Sequence, residues 1–321
     1  MKINRKGTPK ELFALLLAFF WLIFISVIHS FFSSPRHTRQ KLRVGFLPIT
    51  CHLLLPIALA RDISLKKVVE PIKYLSWPDM IESIKGQELD AALILAPIAL
   101  SLIAQGVPVE IALLGHREGT GLVVSTSSNI KYPADFIGKT VAIPIRFSTQ
   151  NLSFLKFLKE NNIDSNNVNI VELPPPDMPF ALAAHSIDAY IVGEPYATQA
   201  EVIKKGKIYL RSKDIWPNFI SSILIISKKA LENKKYLVDK FIRSLYKQAS
   251  WVESHRKKAA NITASFFGID EELIKKVLLN KEVHYKKLLP KKEEFDYIDE
   301  LMVNFGLISK QVSYSFYNGW K

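Results

Sequence analysis

From Lys41 onward, short apolar runs alternate with stretches in which apolar and polar residues recur at helical spacing. LRVGFL (42–47), VVEPIKYL (68–75) and ALILA (92–96) predict strands, with helices expected at 56–60, 79–85 and 97–105. The pattern then restarts. TVAIPI (140–145), VNIVEL (168–173) and AYIVG (189–193) predict strands, and 149–161, 178–185 and 197–204 predict helices. Strands separated by single helices imply parallel pairing, because a parallel neighbour is reached only through a crossover connection. The expected fold class is therefore α/β, built as two successive open units.

One short stretch is written in both units: ELDAALILAPIA at 88–99 and SIDAYIVGEPYA at 186–197. In each, an aspartate (Asp90, Asp188) precedes an apolar strand and a proline (Pro97, Pro195) follows it. The aspartate suits a turn, where its carboxylate can accept from nearby backbone N–H groups, and the proline suits a helix start, where no donor is lost. The strand end and the following helix start then face one edge of each sheet. Ligands of open α/β sheets bind at that edge, and two units placed edge to edge would enclose a cleft.

Ahead of these units lies a different pattern. Lys2, Arg5, Lys6 and Lys10 precede an apolar run from Leu12 to Ile28, which only Ser26 interrupts. At 1.5 Å per residue such a run covers most or all of a bilayer core of about 30 Å. No small-x-small cleavage site follows it, so an uncleaved anchor is expected, with a cleaved signal peptide as the alternative. The segments expected are a basic stretch at 1–11, a transmembrane or signal helix at 12–32 and a linker at 33–40. One lobe is expected from 41–120 with 221–321, and a second from 121–220.

Composition adds bounds. With 321 residues and 48% hydrophobic content the chain can bury a core large enough for two lobes. The 43 Lys and Arg against 30 Asp and Glu give +13, which suits an anionic partner or membrane surface; no zinc-finger spacing or RNP-like run accompanies it, so no nucleic acid is expected. The single cysteine, Cys51, excludes a disulfide within the chain. No phosphate loop, His-Glu-x-x-His, Gly-x-Ser-x-Gly or cysteine cluster is present, so neither a catalytic set nor a cofactor or metal is expected.

RVGFLPITCHLLLPIALA (43–60), IPIRFSTQNL (143–152) and LPPPDMPFALAAHSIDAYIVGEPYA (173–197) together resemble the substrate-binding proteins of ABC importers in the nitrate, sulfonate and taurine group, most closely the nitrate and bicarbonate branch. The resemblance covers nearly everything after the apolar run. It implies a two-lobed periplasmic-binding-protein fold of type II with the ligand cleft between the lobes, crossed twice by the chain, with GLVVST (121–126) and SSILIIS (221–227) as candidate crossings. It further implies an extracytoplasmic, monomeric binding domain for a small anion or zwitterion, working with ABC permease and ATPase subunits. The lipoprotein cysteine common in that group is absent here, so tethering falls to 12–28. Alternatives are an enzyme on the same fold, of the thiamine pyrimidine synthase or menaquinone-pathway kind, or a membrane-tethered sensor.

The cleft can be assembled from loop positions. One lobe would contribute Thr50, Cys51 and His52 after the first strand, Trp77 after the second, and His116, Gly119 and Thr120 before the first crossing. The other would contribute Ser148, Thr149, Gln150 and Asn151 at a helix start, Asp177 after the prolines, and Glu194 with Tyr196. Free N–H groups at a helix start, helped by hydroxyl and amide side chains, can seat an oxyanion. Ser148 and Thr149 equally suit helix capping, whereas Gln150 and Asn151 are the stronger ligand candidates. Glu194 is expected to pair with Arg146 or a ligand cation, or to accept from backbone N–H groups and hold the hinge. Trp77 and Tyr196 offer flat walls, and His52 and His116 offer ring nitrogens.

Overall fold

The computed structural model describes residues 41–321 and, from the N-terminal segment, residues 13, 17 and 19–26. The latter are helical and exposed. Part of the expected anchor lies outside the described residues, and among those described no helix is long and apolar enough to cross a membrane. Leu42–Lys321 forms one compact unit.

Its strands are β1 (Leu42–Phe46), β2 (Val69–Lys73), β3 (Ala91–Leu95), β4 (Val109–Leu114), β5 (Arg117–Glu118), β6 (Thr120–Ser125), β7 (Thr140–Ile143), β8 (Asn169–Glu172), β9 (Ala189–Gly193), β10 (Gly206–Arg211), β11 (Ser222–Ser227) and β12 (Val283–His284). They build two five-stranded sheets, β2-β1-β3-β11-β4 and β8-β7-β9-β6-β10, and a small β5–β12 pair. In each large sheet the first three strands run parallel and the last two are antiparallel to their neighbours. The sheets are thus two copies of one arrangement. The chain enters the second sheet at β6 and returns to the first at β11.

The repeated Asp-Ala stretch does the same work twice. Asp90 accepts from the Arg43 backbone N–H at 2.8 Å and donates its own N–H to the Arg43 carbonyl at 2.9 Å. Asp188 does so with Thr140, at 2.9 Å in both directions. The carboxylates therefore reach across to the neighbouring strand, 47 and 48 residues back, and do not close a local turn. Ser227 and Ser125, at the ends of β11 and β6, donate to the Asp90 and Asp188 carbonyls from the other side.

Local chemistry fits each place. Pro71 sits in β2, an edge strand, where a missing ladder donor costs least. Strands of the second sheet bury both faces in alternation: Leu122, Val124, Val141, Ile143, Ala189 and Ile191 join one core with Phe136, Phe154 and Phe157, while Val123, Ala142, Tyr190 and Val192 join the other. That second core runs on into the first sheet and the C-terminal helices. Helices Lys235–Ser254 and Arg256–Phe267 pack on Leu54–Arg61, and Lys292–Asn304 packs on Ala96–Ala104. Helices Glu271–Leu279 and Lys292–Asn304 also touch Tyr196–Val202 and Thr149–Glu160 of the second sheet's half, so the two halves meet on more than the crossings.

Candidate functional site

The strand ends of the two sheets converge where β1 leads into the turn Thr50–His52, β3 into the helix Ala96–Ala104, β7 toward the helix Thr149–Glu160, and β9 into Glu194. Thr50 donates both its backbone N–H (3.1 Å) and its hydroxyl (2.6 Å) to the Glu194 carbonyl. The Tyr196 hydroxyl donates to the Pro48 carbonyl at 3.3 Å, and the Gln150 amide donates to Thr120 Oγ1 at 3.1 Å and to Ser221 Oγ at 3.0 Å. Gln150 so ties the helix of one half to the first residue of β6 and to the residue just ahead of β11, where the chain crosses. Ser221 also takes the weak Cys51 thiol contact at 3.8 Å.

Glu194 is fully buried and takes a structural role, one of the alternatives open from the sequence, but its cation is Arg211 and not Arg146: Arg211 Nη1 lies 2.5 Å from Oε1. The Thr198 hydroxyl donates to Oε1 at 2.7 Å and the Thr198 N–H to Oε2 at 2.9 Å. Its carboxylate is therefore satisfied within its own half. Arg146 turns its guanidinium to the Gly306 carbonyl at 3.4 Å, and its N–H donates to Glu172.

His52 is fully buried; its Nδ1 lies 2.8 Å from the Leu47 backbone nitrogen and 3.1 Å from the Leu47 carbonyl oxygen. Burial lowers its pKa to about 3, so the ring is neutral at pH 7. It meets Trp77 edge-on with ring centroids 6.0 Å apart. His116 is also fully buried and neutral, its pKa lowered to about 4 chiefly by desolvation, and lies 6.4 Å from the Tyr285 ring. Burial pushes the Cys51 thiol up to about 12, so it stays protonated.

Ser148 caps the helix Thr149–Glu160 by accepting the Asn151 N–H at 3.0 Å, and the Asn151 amide donates to the Arg146 carbonyl at 2.8 Å. Asp177 precedes the helix Met178–Ala183 and is exposed. Gly119 sits at φ +77, and a Cβ there would lie 2.7 Å from Val283. Sequence reasoning did not single out Ser221, Arg211 or Tyr285. Tyr285, fully buried, donates to the Thr50 carbonyl at 2.9 Å and so holds the β1 turn from the C-terminal part of the chain.

Between the halves lies an inner cavity of about 10 Å3, lined by Ile49, Cys51, Trp77, Leu95, Pro144, Gln150, Pro175, Val192, Gly193 and Ser221. That is about the space of one water centre. Trp77, Pro144 and Pro175 also line an outer chamber of about 200 Å3, with Ser76, Pro78, Ile145, Glu172, Leu173 and Pro174. Two polar atoms of the cavity lining, Trp77 Nε1 and Gln150 Oε1, are buried without a partner, and so are His52 Nε2, whose ring meets Trp77, and Thr149 Oγ1, next to Gln150 in the chain. Buried polar groups are nearly always paired, so this concentration marks a place built for polar contacts.

Two α/β halves with matching sheets, joined by two crossing strands over a polar-edged cleft, are a type II periplasmic-binding-protein fold. Solved structures agree. The ligand-binding component of an ABC-type import system from Staphylococcus aureus, solved with zinc bound, superposes with a TM-score of 0.78 at 24% identity over 85% of this chain and 94% of that one. The periplasmic nitrate-binding protein NrtA from Synechocystis PCC 6803 does so with a TM-score of 0.75 at 16% identity, over 84% of this chain and 82% of that one. Residues 36–267 match the NMT1-like family, and the chain belongs to it. A taurine-binding periplasmic protein of Escherichia coli is 30% identical over 151 residues, 46% of this chain and 46% of that one. The chain spans about a third to two thirds of the length of the curated relatives it matches.

Proposed function

We propose that this chain is the extracytoplasmic solute-binding component of an ABC importer, which captures a small polar solute between its two halves and presents the closed form to permease and ATPase subunits. The observation that carries this reading is the set of buried, unpartnered polar atoms around the cleft, with Trp77 and Gln150 both lining the inner cavity. Relatives named for periplasmic nitrate and taurine binding support it. Catalysis fits the groups poorly: the one thiol is held protonated by burial, and both cleft histidines are too weakly basic to take up a proton near neutral pH. A solute at a hundred times its dissociation constant stabilises the protein that binds it by about 2.7 kcal/mol. The full chain in detergent, melted against a panel of small solutes, should show such a rise for at least one; a flat panel, or conversion of any solute to product, would contradict the reading.

The same reading puts residues 41–321 outside the cytoplasm, held by an uncleaved 12–28 segment. Its support is the apolar run, broken only by Ser26, and the missing cleavage site. The intact mass of membrane-extracted protein should include residues 1–30, and a mature chain starting between 31 and 41 would overturn the anchor while leaving the binding role.

A further inference from the structure

We propose that the first half carries a second functional surface, a basic groove that docks the protein on the anionic headgroups of the membrane holding its N-terminal segment; the inference rests on the anchored reading above. The groove, of about 520 Å3, runs between the end of the helix Leu54–Arg61 and the exposed face of Lys235–Ser254. Arg61, Lys240, Arg243 and Lys247 line it against one carboxylate, Asp62. Asp62 already accepts from the Ser64 hydroxyl at 2.5 Å, the Leu65 N–H at 3.0 Å and the Ser244 hydroxyl at 3.4 Å. Among the described residues none of the four cations stands in an ion pair. Other helices treat their lysines differently. Lys156, Lys235, Lys275 and Lys292 each meet a carboxylate one turn away on their own helix. Lys240, Arg243 and Lys247 instead stack like charges on successive turns, which destabilises a helix unless something anionic covers it.

The geometry suits a charged surface better than one small anion. From Lys240 to Lys247 the helix rises about 10 Å, so its cations meet several phosphates side by side and do not converge on one. Arg61 is held in place, its Nε donating to Gln248 Oε1 at 2.7 Å and its guanidinium lying 3.9 Å over the Trp251 ring. Ile63 and Tyr236, 72% and 74% exposed, stand among the cations as apolar side chains that a headgroup layer can accept. The chain also enters the compact unit at this end. Leu42, the first residue of β1, donates its N–H to the Val68 carbonyl at 2.7 Å, next in the chain to the exposed Lys66 and Lys67. The helix Ile63–Lys66 just before them packs on Lys235–Ser254. Residues 29–41, which include Arg36, Arg39 and Lys41, reach at most about 45 Å fully extended, so the groove stays near the bilayer that holds the anchor. The cleft lies at the other end of β1 and is left free.

The test reconstitutes the full chain, spin-labelled at Ile63→Cys in a Cys51→Ser background, into vesicles of phosphatidylcholine alone or with about a third phosphatidylglycerol. A nickel-chelating lipid in the headgroup layer reads the label's approach. Relaxation of the label by nickel should rise about threefold or more with the anionic lipid and fall back at about 0.5 M salt, where charges are screened within a few ångströms. A label at Phe180→Cys, exposed on the other half, should change little. The triple reversal Lys240→Glu, Arg243→Glu and Lys247→Glu should abolish the rise, while the shift in melting temperature with solute persists and shows the fold intact. Equal relaxation in the two kinds of vesicle, the result expected if the groove serves an acidic protein instead, would overturn the docking surface, as would a rise that survives the triple reversal. A chain that floated with anionic vesicles alone would keep the surface and contradict the anchor. One that floated with neither would contradict both.

Discussion

Glu194 joins the two halves by its carbonyl and anchors its own half by its carboxylate, so one residue sits on both sides of the closure. Because Arg211 is only 14% exposed, removing the carboxylate's charge leaves a largely desolvated guanidinium unpaired. Glu194→Gln should therefore cost about 2–3 kcal/mol, read as a lower urea midpoint at unchanged slope; a loss below about 0.5 kcal/mol would show that Arg211 finds water instead. The buried histidines set a pH dependence. Their folded pKa values, about 3 for His52 and about 4 for His116, lie below the unfolded value of 6.5, so between those limits the unfolded chain binds more protons. Stability is then fully present above about pH 6.5 and falls as pH drops toward 4, by up to about 1.4 kcal/mol per unit for each group. Melting temperatures between pH 7 and 4.5 check this, and the slope should shrink in His116→Gln. At this scale the sequence was partly legible. Loop positions after strands placed Thr50, Trp77 and Gln150 at the cleft, because strand ends are where an open sheet exposes side chains. Tyr285 and Arg211 carry no such signal, since only tertiary packing brings them to Thr50 and Glu194.

At the scale of elements, the six parallel strands were legible because each is a compact apolar run between turn residues. Val109–Leu114 and Gly206–Arg211 were not assigned, although they hold equivalent places at the outer antiparallel edge of each sheet. β10 is largely half-buried with polar residues interspersed, so its apolar signal is diluted. The echo of Asp90 and Asp188 was read as two local turns, and its real role, stapling one strand to the next, depends on pairing that no local pattern encodes. Ser148 was left open between capping and a ligand contact, and the structure shows it capping the helix Thr149–Glu160. Ser148→Ala should cost about 1 kcal/mol in a denaturant titration, as N-cap removals do. It should also weaken solute binding, because Gln150 sits in the turn that the cap holds. A fully stable variant would show that the cap is replaced by water.

For the whole molecule, two matched halves are joined by β6 and β11 and are bridged besides by Thr50 to the Glu194 carbonyl, Tyr196 to the Pro48 carbonyl, Gln150 to Ser221, Arg146 to the Gly306 carbonyl, and the C-terminal helices packed on Tyr196–Val202 and Thr149–Glu160. With an inner cavity of about 10 Å3, a solute larger than a water enters only if the halves part. On the solute-binding reading proposed above, closure over a bound solute would be selected by contacts from both halves. Spin labels at Glu82→Cys, exposed on one half, and Phe180→Cys, exposed on the other, report that motion directly in a Cys51→Ser background, since Cys51 lines the cavity that opening would expose. Pulsed electron spin resonance on the full chain should show a broad, longer distance without solute that shortens and narrows at saturation. An identical distribution with and without a solute proven to be bound would contradict capture by closure of the two halves.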